Sequence, residues 1–111
     1  MPDRSDHSTD AANRTARLLD GRFAVPDHVV HRAFAAETVV LNLKTGGYHG
    51  LNPVAGRMLE VMEETGSPRE AVNRVVAEWD VEQAQVESDA ASLCAELLER
   101  GLIEPADPRE D

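Results

Sequence analysis

The chain has few of the residues that catalysis and metal binding usually require. Its 111 residues include one cysteine, Cys94, which cannot form an internal disulfide. The histidines lack the cysteine or carboxylate spacing of a metal site, and His28 and His31 would face opposite sides of a strand. The sequence also contains no nucleophile elbow, phosphate loop or zinc-protease helix. We therefore expect a protein that is not an enzyme and that uses no cofactor and no metal.

Long apolar runs and an excess of positive charge are also missing. No run approaches the roughly 18 apolar residues of a membrane span, and the first residues lack the basic segment and apolar core of a secretory signal. Acidic residues outnumber basic ones by 21 to 11, which gives a net charge of −10 and repels polyanions. We expect a cytoplasmic protein with no membrane or nucleic-acid partner, whose acidity serves either solubility or the attraction of a basic partner.

The hydrophobic residues make up 41% of the chain, which suffices for one modest core. Residues 1–27 are polar, apart from residues 15–19, which could form a turn or two of helix, and they are expected to be a flexible tail. Residues 28–104 are expected to form the domain. Residues 105–111 are expected to be an acidic C-terminal tail.

Three short apolar segments, at residues 29–34, 39–43 and 48–51, predict an antiparallel meander. Between the last two, residues 44–47 end in two glycines, which supply the positive φ of a tight turn. Side chains alternate along the middle strand, so that Val39, Leu41 and Leu43 share one face. One of the two faces is expected to pack on helices.

The segments after the strands carry helix start and stop signals. Asn52 and Pro53 predict the start of a first helix, which is expected to end near Gly66. A capping box at residues 67–70 predicts the start of a second helix. The buried stripe of that second helix is expected to include Trp79.

Asp80 is expected to cap the third helix, which ends at Gly101 and includes Cys94 as a small buried hydrophobe. Residues 102–103 are expected to fold back onto the core. The predicted fold is therefore α+β and winged-helix-like, with a three-stranded antiparallel sheet followed by three helices.

Several motifs together resemble a known family. They are Leu-Asn-Leu before a Thr-Gly turn at residues 41–46, Tyr-His-Gly-Leu-Asn-Pro at 48–53, and Leu-Leu-Glu-Arg-Gly-Leu-Ile at 97–103. The pattern is similar to that of the PqqD family, the recognition elements of ribosomally synthesised and post-translationally modified peptide pathways. That family includes the stand-alone recognition proteins of lasso-peptide clusters. The resemblance covers about residues 29–104, and Asn-Pro-Val-Ala-Gly at 52–56 favours the lasso type.

The resemblance implies a winged fold that holds the leader segment of a precursor peptide as an added strand, between the third strand and the third helix. An exposed strand edge suits such β-augmentation. The bound precursor would be delivered to a maturation enzyme, either a leader-cleaving protease or a radical-SAM enzyme, and the sequence does not choose between them. The residues implied to bind the peptide are Tyr48, His49, Gly50 and Leu51 on the strand and Val86, Asp89, Ala90 and Leu93 on the helix.

Other interpretations of the same residues stay open. Leu51, Val86 and Leu93 are also typical core positions, Gly50 also fits a crowded sheet corner, and Asp89 also fits a solvated surface. A winged helix suits a protein–protein adaptor or a transcriptional regulator as well, although the third helix carries five acidic residues against one arginine and would repel phosphate. The chain could be a monomer or a dimer, because an exposed edge can pair with a second copy.

Overall fold

A computed structural model describes residues 13–106 of the chain. The elements, in chain order, are α1 (residues 13–19), β1 (Phe23–Ala24), β2 (Val29–Ala33), β3 (Thr38–Asn42), β4 (Tyr48–Leu51), α2 (Pro53–Thr65), α3 (Pro68–Glu78), α4 (Gln83–Glu99) and β5 (Glu104–Pro105).

The predicted three-stranded meander is confirmed. The strands pair antiparallel in the order β2-β3-β4, with Val40 opposite His31 on one side and opposite His49 on the other. Thr38, Val40 and Asn42 of β3 are all buried, so their face of the sheet packs on the helices. The opposite face contains Val39 and Leu41 and is turned to solvent.

The predicted starts of α2 and α3 are also confirmed. The side-chain oxygen of Asn52 accepts a hydrogen bond of 2.8 Å from the amide of Ala55, and Pro53 occupies the first position of α2. Gly66 ends α2 with a φ of 77°. Ser67 caps α3 by accepting a 3.0 Å hydrogen bond from the amide of Glu70. A single residue therefore separates the last strand of the sheet from the first helix behind it.

Two expectations around the start of α4 are wrong. The residue at the N-cap is Glu82, which makes no side-chain cap hydrogen bond, and not Asp80. Trp79 is 36% exposed, because it follows the last residue of α3 in an extended conformation and has left the buried stripe of that helix. Helix α4 therefore begins later in the chain than a cap at Asp80 would predict.

The N-terminal part of the described chain differs from the expected tail. Leu19 at the end of α1 and Phe23 in β1 are both buried in the core. Strand β1 pairs antiparallel with β5, so that Phe23 lies opposite Pro105. Strands of two residues show no alternation in a sequence, and these two come from opposite ends of the chain, so the pairing left no local signal. The division of the chain at residues 28 and 104 stays a prediction, and its outermost parts, residues 1–12 and 107–111, lie outside the described residues.

The core lies between the inner face of the sheet and helices α2, α3 and α4. Its fully enclosed side chains include Val40 from the sheet, Leu59 from α2, Val72 from α3 and Leu97 from α4. Residues 102–103 fold back onto this core as expected, since both are buried and the amide of Leu102 donates to the carbonyl of Leu97 at 2.8 Å. The predicted α+β fold is thus confirmed, with α1 and the small β1–β5 sheet in addition. Within residues 13–106 no helix has the length and apolarity needed to cross a bilayer.

We expect Gly56→Ala to destabilise the fold, because α2 lies directly against β3 at this glycine. An added Cβ would overlap the hydroxyl of Thr38 and lie 2.8 Å from its Cβ. Alanine gains about 1 kcal/mol of helix propensity, but overpacking at a buried contact costs about 1–3 kcal/mol, and both neighbours here are backbone-proximal atoms that move little. The severe overlap places the cost in the upper part of this range, at about 2–3 kcal/mol, so the free energy of unfolding in urea should fall by about 1–2 kcal/mol after the gain in propensity. Adding Thr38→Ala to Gly56→Ala should recover part of the loss, and an unchanged unfolding midpoint for Gly56→Ala would contradict the close contact.

Candidate functional site

Strand β4 is an edge strand, and its register determines which backbone groups face outward. The amide of Asn42 donates to the carbonyl of Gly47 at 2.8 Å, so these two residues form a hydrogen-bonded pair of the β3–β4 ladder. Hydrogen-bonded and non-hydrogen-bonded pairs alternate in an antiparallel ladder. His49 and Leu51 therefore bond to β3, whereas the N–H and C=O groups of Tyr48 and Gly50 point away from it. Within residues 13–106 no strand pairs with this outer edge.

A groove of about 510 Å³ opens beside this edge, between β4, the start of α2 and one side of α4. Six of the residues expected to bind a peptide line it. They are His49, Gly50, Leu51, Val86, Asp89 and Leu93. Leu51, Val86 and Leu93 are buried and form an apolar floor, whereas Asp89 is exposed at the rim. The structure thus brings together the strand half and the helix half of the predicted site.

Two of the expected peptide-binding residues do not line this groove. Side chains alternate along β4, so Tyr48 lies on the opposite face of the sheet from His49, where it is 76% exposed. Ala90 is 2% exposed and lies in the core, because successive residues of a helix point about 100° apart and Asp89 takes the groove-facing position. The backbone of Tyr48 still lies on the outer edge. Contact between these two side chains and a peptide stays a prediction.

Sequence reasoning missed several residues of the groove. These are Asn52, Val54, Ala55 and Met58 at the start of α2, and Val81, Gln85, Ser92 and Glu96 at or near α4. A signal for part of this set was present in the sequence. Gln85, Asp89, Ser92 and Glu96 recur at intervals of three and four residues and form a polar stripe beside the apolar stripe of α4.

The ionisable side chains at the groove are His49, Asp89 and Glu96. Glu96 lies near two possible cations, with its Oε2 atom 3.6 Å from Nε2 of His49 and 3.4 Å from Nε of Arg100. Asp89 accepts a hydrogen bond of 2.9 Å from the neutral amide of Gln85 and takes part in no ion pair among the described residues. The rim at Asp89 therefore keeps its negative charge available to a ligand.

The arrangement suits binding of an extended chain more than covalent chemistry. Cys94 is fully buried, its Sγ lies 3.7 Å from Sδ of Met62, and burial raises the pKa of its thiol to about 12. In the part of the chain that the structure describes, no three His, Cys, Asp or Glu side chains are grouped closely enough to hold a metal ion. An apolar floor, a polar rim and a free strand edge are the features of a peptide groove.

Known proteins share both the sequence pattern and the fold. The family model described as coenzyme PQQ synthesis protein D (PqqD) matches residues 37–103. A solved structure described as TbiB1 in complex with the TbiA(beta) leader peptide is 33% identical, with a TM-score of 0.67, and the match covers 76% of this chain and 98% of that chain. A second, lasso peptide synthetase B1 complexed with the leader peptide, is 25% identical, with a TM-score of 0.67 and coverage of 76% and 99%. No curated protein sequence matches the chain.

Cys94 should be inert in the native protein. With a thiol pKa of about 12, well below 0.1% of the side chain is thiolate at pH 8, and the sulfur is enclosed. Ellman's reagent should therefore modify Cys94 only after unfolding in guanidinium chloride. The variant Ser88→Cys, which adds a thiol at an exposed position of the same helix, should react at once with one equivalent. Native reactivity of Cys94 at a rate similar to that of the added thiol would refute the buried placement.

Proposed function

This chain belongs to the PqqD family, and we propose that it binds the leader segment of a ribosomally synthesised precursor peptide by strand addition to β4 and delivers it to a maturation enzyme. The observation that carries the proposal is the outer edge of β4 beside an apolar groove. The two solved structures support it, since each holds a leader peptide and is covered almost completely by the match. One of them is a lasso peptide synthetase B1, which favours a lasso pathway for this chain.

Backbone pairing and side-chain burial must both contribute to affinity. Tyr48 and Gly50 offer two N–H and two C=O groups, and four hydrogen bonds at about 0.5–1.5 kcal/mol each give about 2–6 kcal/mol. Two apolar leader side chains on the floor formed by Leu51, Val86 and Leu93 would add about 1.5–3 kcal/mol each. Ordering a flexible leader costs about 2–5 kcal/mol, so micromolar binding, at about 8 kcal/mol, requires both contributions. The backbone sets the register and the groove selects the sequence.

The maturation step itself would belong to the partner enzyme. A leader-cleaving protease fits better than a radical-SAM enzyme, because one of the two similar leader complexes is a lasso peptide synthetase B1. The recognition protein would act without catalysis, as a chaperone that presents the precursor. We place this step in the cytoplasm, where ribosomal precursors are made.

A DNA-binding regulator fits the molecule poorly. The helix that would enter the major groove is α4, and its polar stripe brings Asp89 and Glu96 to the surface beside the groove. Carboxylates there would repel phosphate and accept few of the hydrogen bonds that base edges offer. The family match and the two solved structures give no support to a regulator or to an adaptor of another kind.

The sharpest test uses proline to remove a single outward-facing donor. Gly50→Pro deletes an N–H that plays no part in the β3–β4 ladder and places a ring where the leader strand would lie. We expect affinity for a synthetic leader, taken from a short reading frame beside the gene, to fall at least about tenfold by calorimetry. Backbone NMR shifts in the wild-type titration should concentrate on β4 and on residues 85–96 of α4.

The matched control is Gly50→Ala, which keeps the donor. Its Cβ would meet Oε1 of Glu37 at 2.6 Å, but that oxygen ends a flexible exposed side chain and can move away. Leader affinity of Gly50→Ala should therefore stay within about threefold of the wild type. Equal affinities of the proline and alanine variants, or NMR shifts confined to other surfaces, would contradict strand addition at β4.

Asp89 should favour leaders with a basic residue near its position. Asp89→Asn removes one rim charge without changing size. Because rim ion pairs contribute about 0.2–1 kcal/mol, affinity for a lysine- or arginine-containing leader should fall by a factor of about 1.4 to 5 at low salt. The same change at Glu99, an exposed acid of α4 that does not line the groove, should have no effect. A loss that is equal for both variants would show that only the overall charge of the protein matters.

A further inference from the structure

The solvent face of the sheet, opposite the helices, is unusually apolar. Val30 is 45% exposed and Tyr48 76%, and they flank Leu41 on adjacent strands. Phe34 is 59% exposed and follows β2, where its amide donates to the carbonyl of Glu37 at 2.7 Å and so continues the ladder by one pair. We call this surface the outer face. Its residues are Val30, Arg32, Phe34, Glu37, Val39, Leu41 and Tyr48. Glu37 extends its carboxylate towards Gly50, at the β4 side of this face.

The aromatic content makes this exposure informative. The chain has two phenylalanines, one tyrosine and one tryptophan, and one of the phenylalanines and the tyrosine lie on the outer face. Contiguous exposed apolar surface marks an interaction site, and aromatic residues are enriched where binding energy concentrates. These side chains do not line the groove, which lies on the other side of β4.

The charge on the outer face indicates what kind of surface would cover it. Arg32 lies between Val30 and Phe34 along β2 and opposite Val39 on β3. Among residues 13–106, Arg32 takes part in no ion pair, and the same holds for Arg14, Arg17, Arg22 and Lys44. Arg32 differs from these in its place between two exposed apolar side chains of one sheet face. A partner that is apolar at its centre and carries a carboxylate would satisfy this arginine.

Other occupants fit less well. The termini outside the described residues supply only one large apolar side chain, Met1. A second copy bound symmetrically would bring two like outer faces together, each with its own Arg32, and each copy carries a net charge of −10. A different protein is therefore the better occupant.

Continuity with the leader site identifies that protein. A leader added to β4 becomes the next strand of the same sheet, and every second side chain of the leader then extends the outer face beyond Tyr48. A protein seated on the outer face would touch this chain and the captured leader together. We propose that the outer face is the docking surface for the maturation enzyme, which contributes an apolar patch with a carboxylate opposite Arg32. This inference rests on the proposed function.

The test separates enzyme docking from leader capture. The variant Arg32→Glu/Phe34→Ser changes two exposed side chains of the outer face. Its affinity for the synthetic leader should stay within about twofold of the wild type, because the groove is untouched. Its leader-bound form should bind the purified maturation enzyme encoded beside the gene at least about tenfold more weakly, measured by biolayer interferometry.

The matched control is Arg17→Glu/Trp79→Ser, which also reverses one exposed arginine and removes one exposed aromatic ring, but away from the outer face. It should bind the enzyme as the wild type does. Equal enzyme binding by the two variants would overturn the assignment of the surface. So would a sedimentation experiment in which the wild type is a dimer and Arg32→Glu/Phe34→Ser a monomer, since a second copy would then cover the face. If the wild type does not bind the leader, the proposed function is refuted instead. The leader titration tests this separately from enzyme binding.

Discussion

The pairing register of β4 on β3 decides which atoms each surface of the sheet presents. With Val40 opposite His49 and Thr38 opposite Leu51, the side chains of His49 and Leu51 point towards the helices, and the backbone of Gly50 points outward. A slip of one residue would turn the side chains of His49 and Leu51 to solvent and those of Tyr48 and Gly50 towards the helices, because the side-chain period of a strand is two. Burial prevents that slip: Leu51 is 4% exposed, and its replacement inside by Gly50 would leave a void next to Val40.

The position of α4 relative to β4 depends on apolar packing and not on ion pairs. Val86, Ala90 and Leu97 are each at most 3% exposed and fix the helix against the core. The ion pairs on the surface are more weakly stabilising, since exposed pairs contribute little. An example is Arg57, which hydrogen-bonds Glu78 across α2 and α3 and so lowers the pKa of that exposed carboxyl. The width of the groove should therefore change little with salt, whereas the charge at its rim is screened.

Local signals in the sequence predicted most of the sheet and the helix starts, because alternation and capping act over two to four residues. Asn52 and Ser67 cap as expected for that reason. Asp80 was misjudged because Glu82, two residues later, is a second acidic candidate for the same cap and occupies it without a side-chain hydrogen bond. Trp79 was misjudged because α3 ends one residue before it. The β1–β5 pair depends on contacts between the two ends of the chain and leaves no local pattern.

The candidate site was predicted to a similar extent and for similar reasons. The run at residues 48–51 predicted the edge strand, but which side chains of the strand and of α4 enter the groove depends on strand register and helix rotation. Tyr48 and Ala90 do not line the groove, and their contact with a peptide stays a prediction. The polar stripe of α4 was visible at helical spacing, yet a stripe of Gln, Asp, Ser and Glu resembles any solvated helix face. Only the position of β4 beside this stripe distinguishes a groove wall from an ordinary solvated helix face.

Placing the leader edge between a groove and an outer face has a thermodynamic consequence. If an added strand enlarges the surface on which the enzyme docks, leader binding strengthens enzyme binding by some factor. Linkage then requires the enzyme to strengthen leader binding by the same factor. The empty protein would hold the enzyme weakly, and the enzyme would tighten the grip on a leader already in the groove. One sheet edge, shared by both surfaces through Tyr48 and Gly50, is sufficient for this coupling, and no second conformation of the fold is needed.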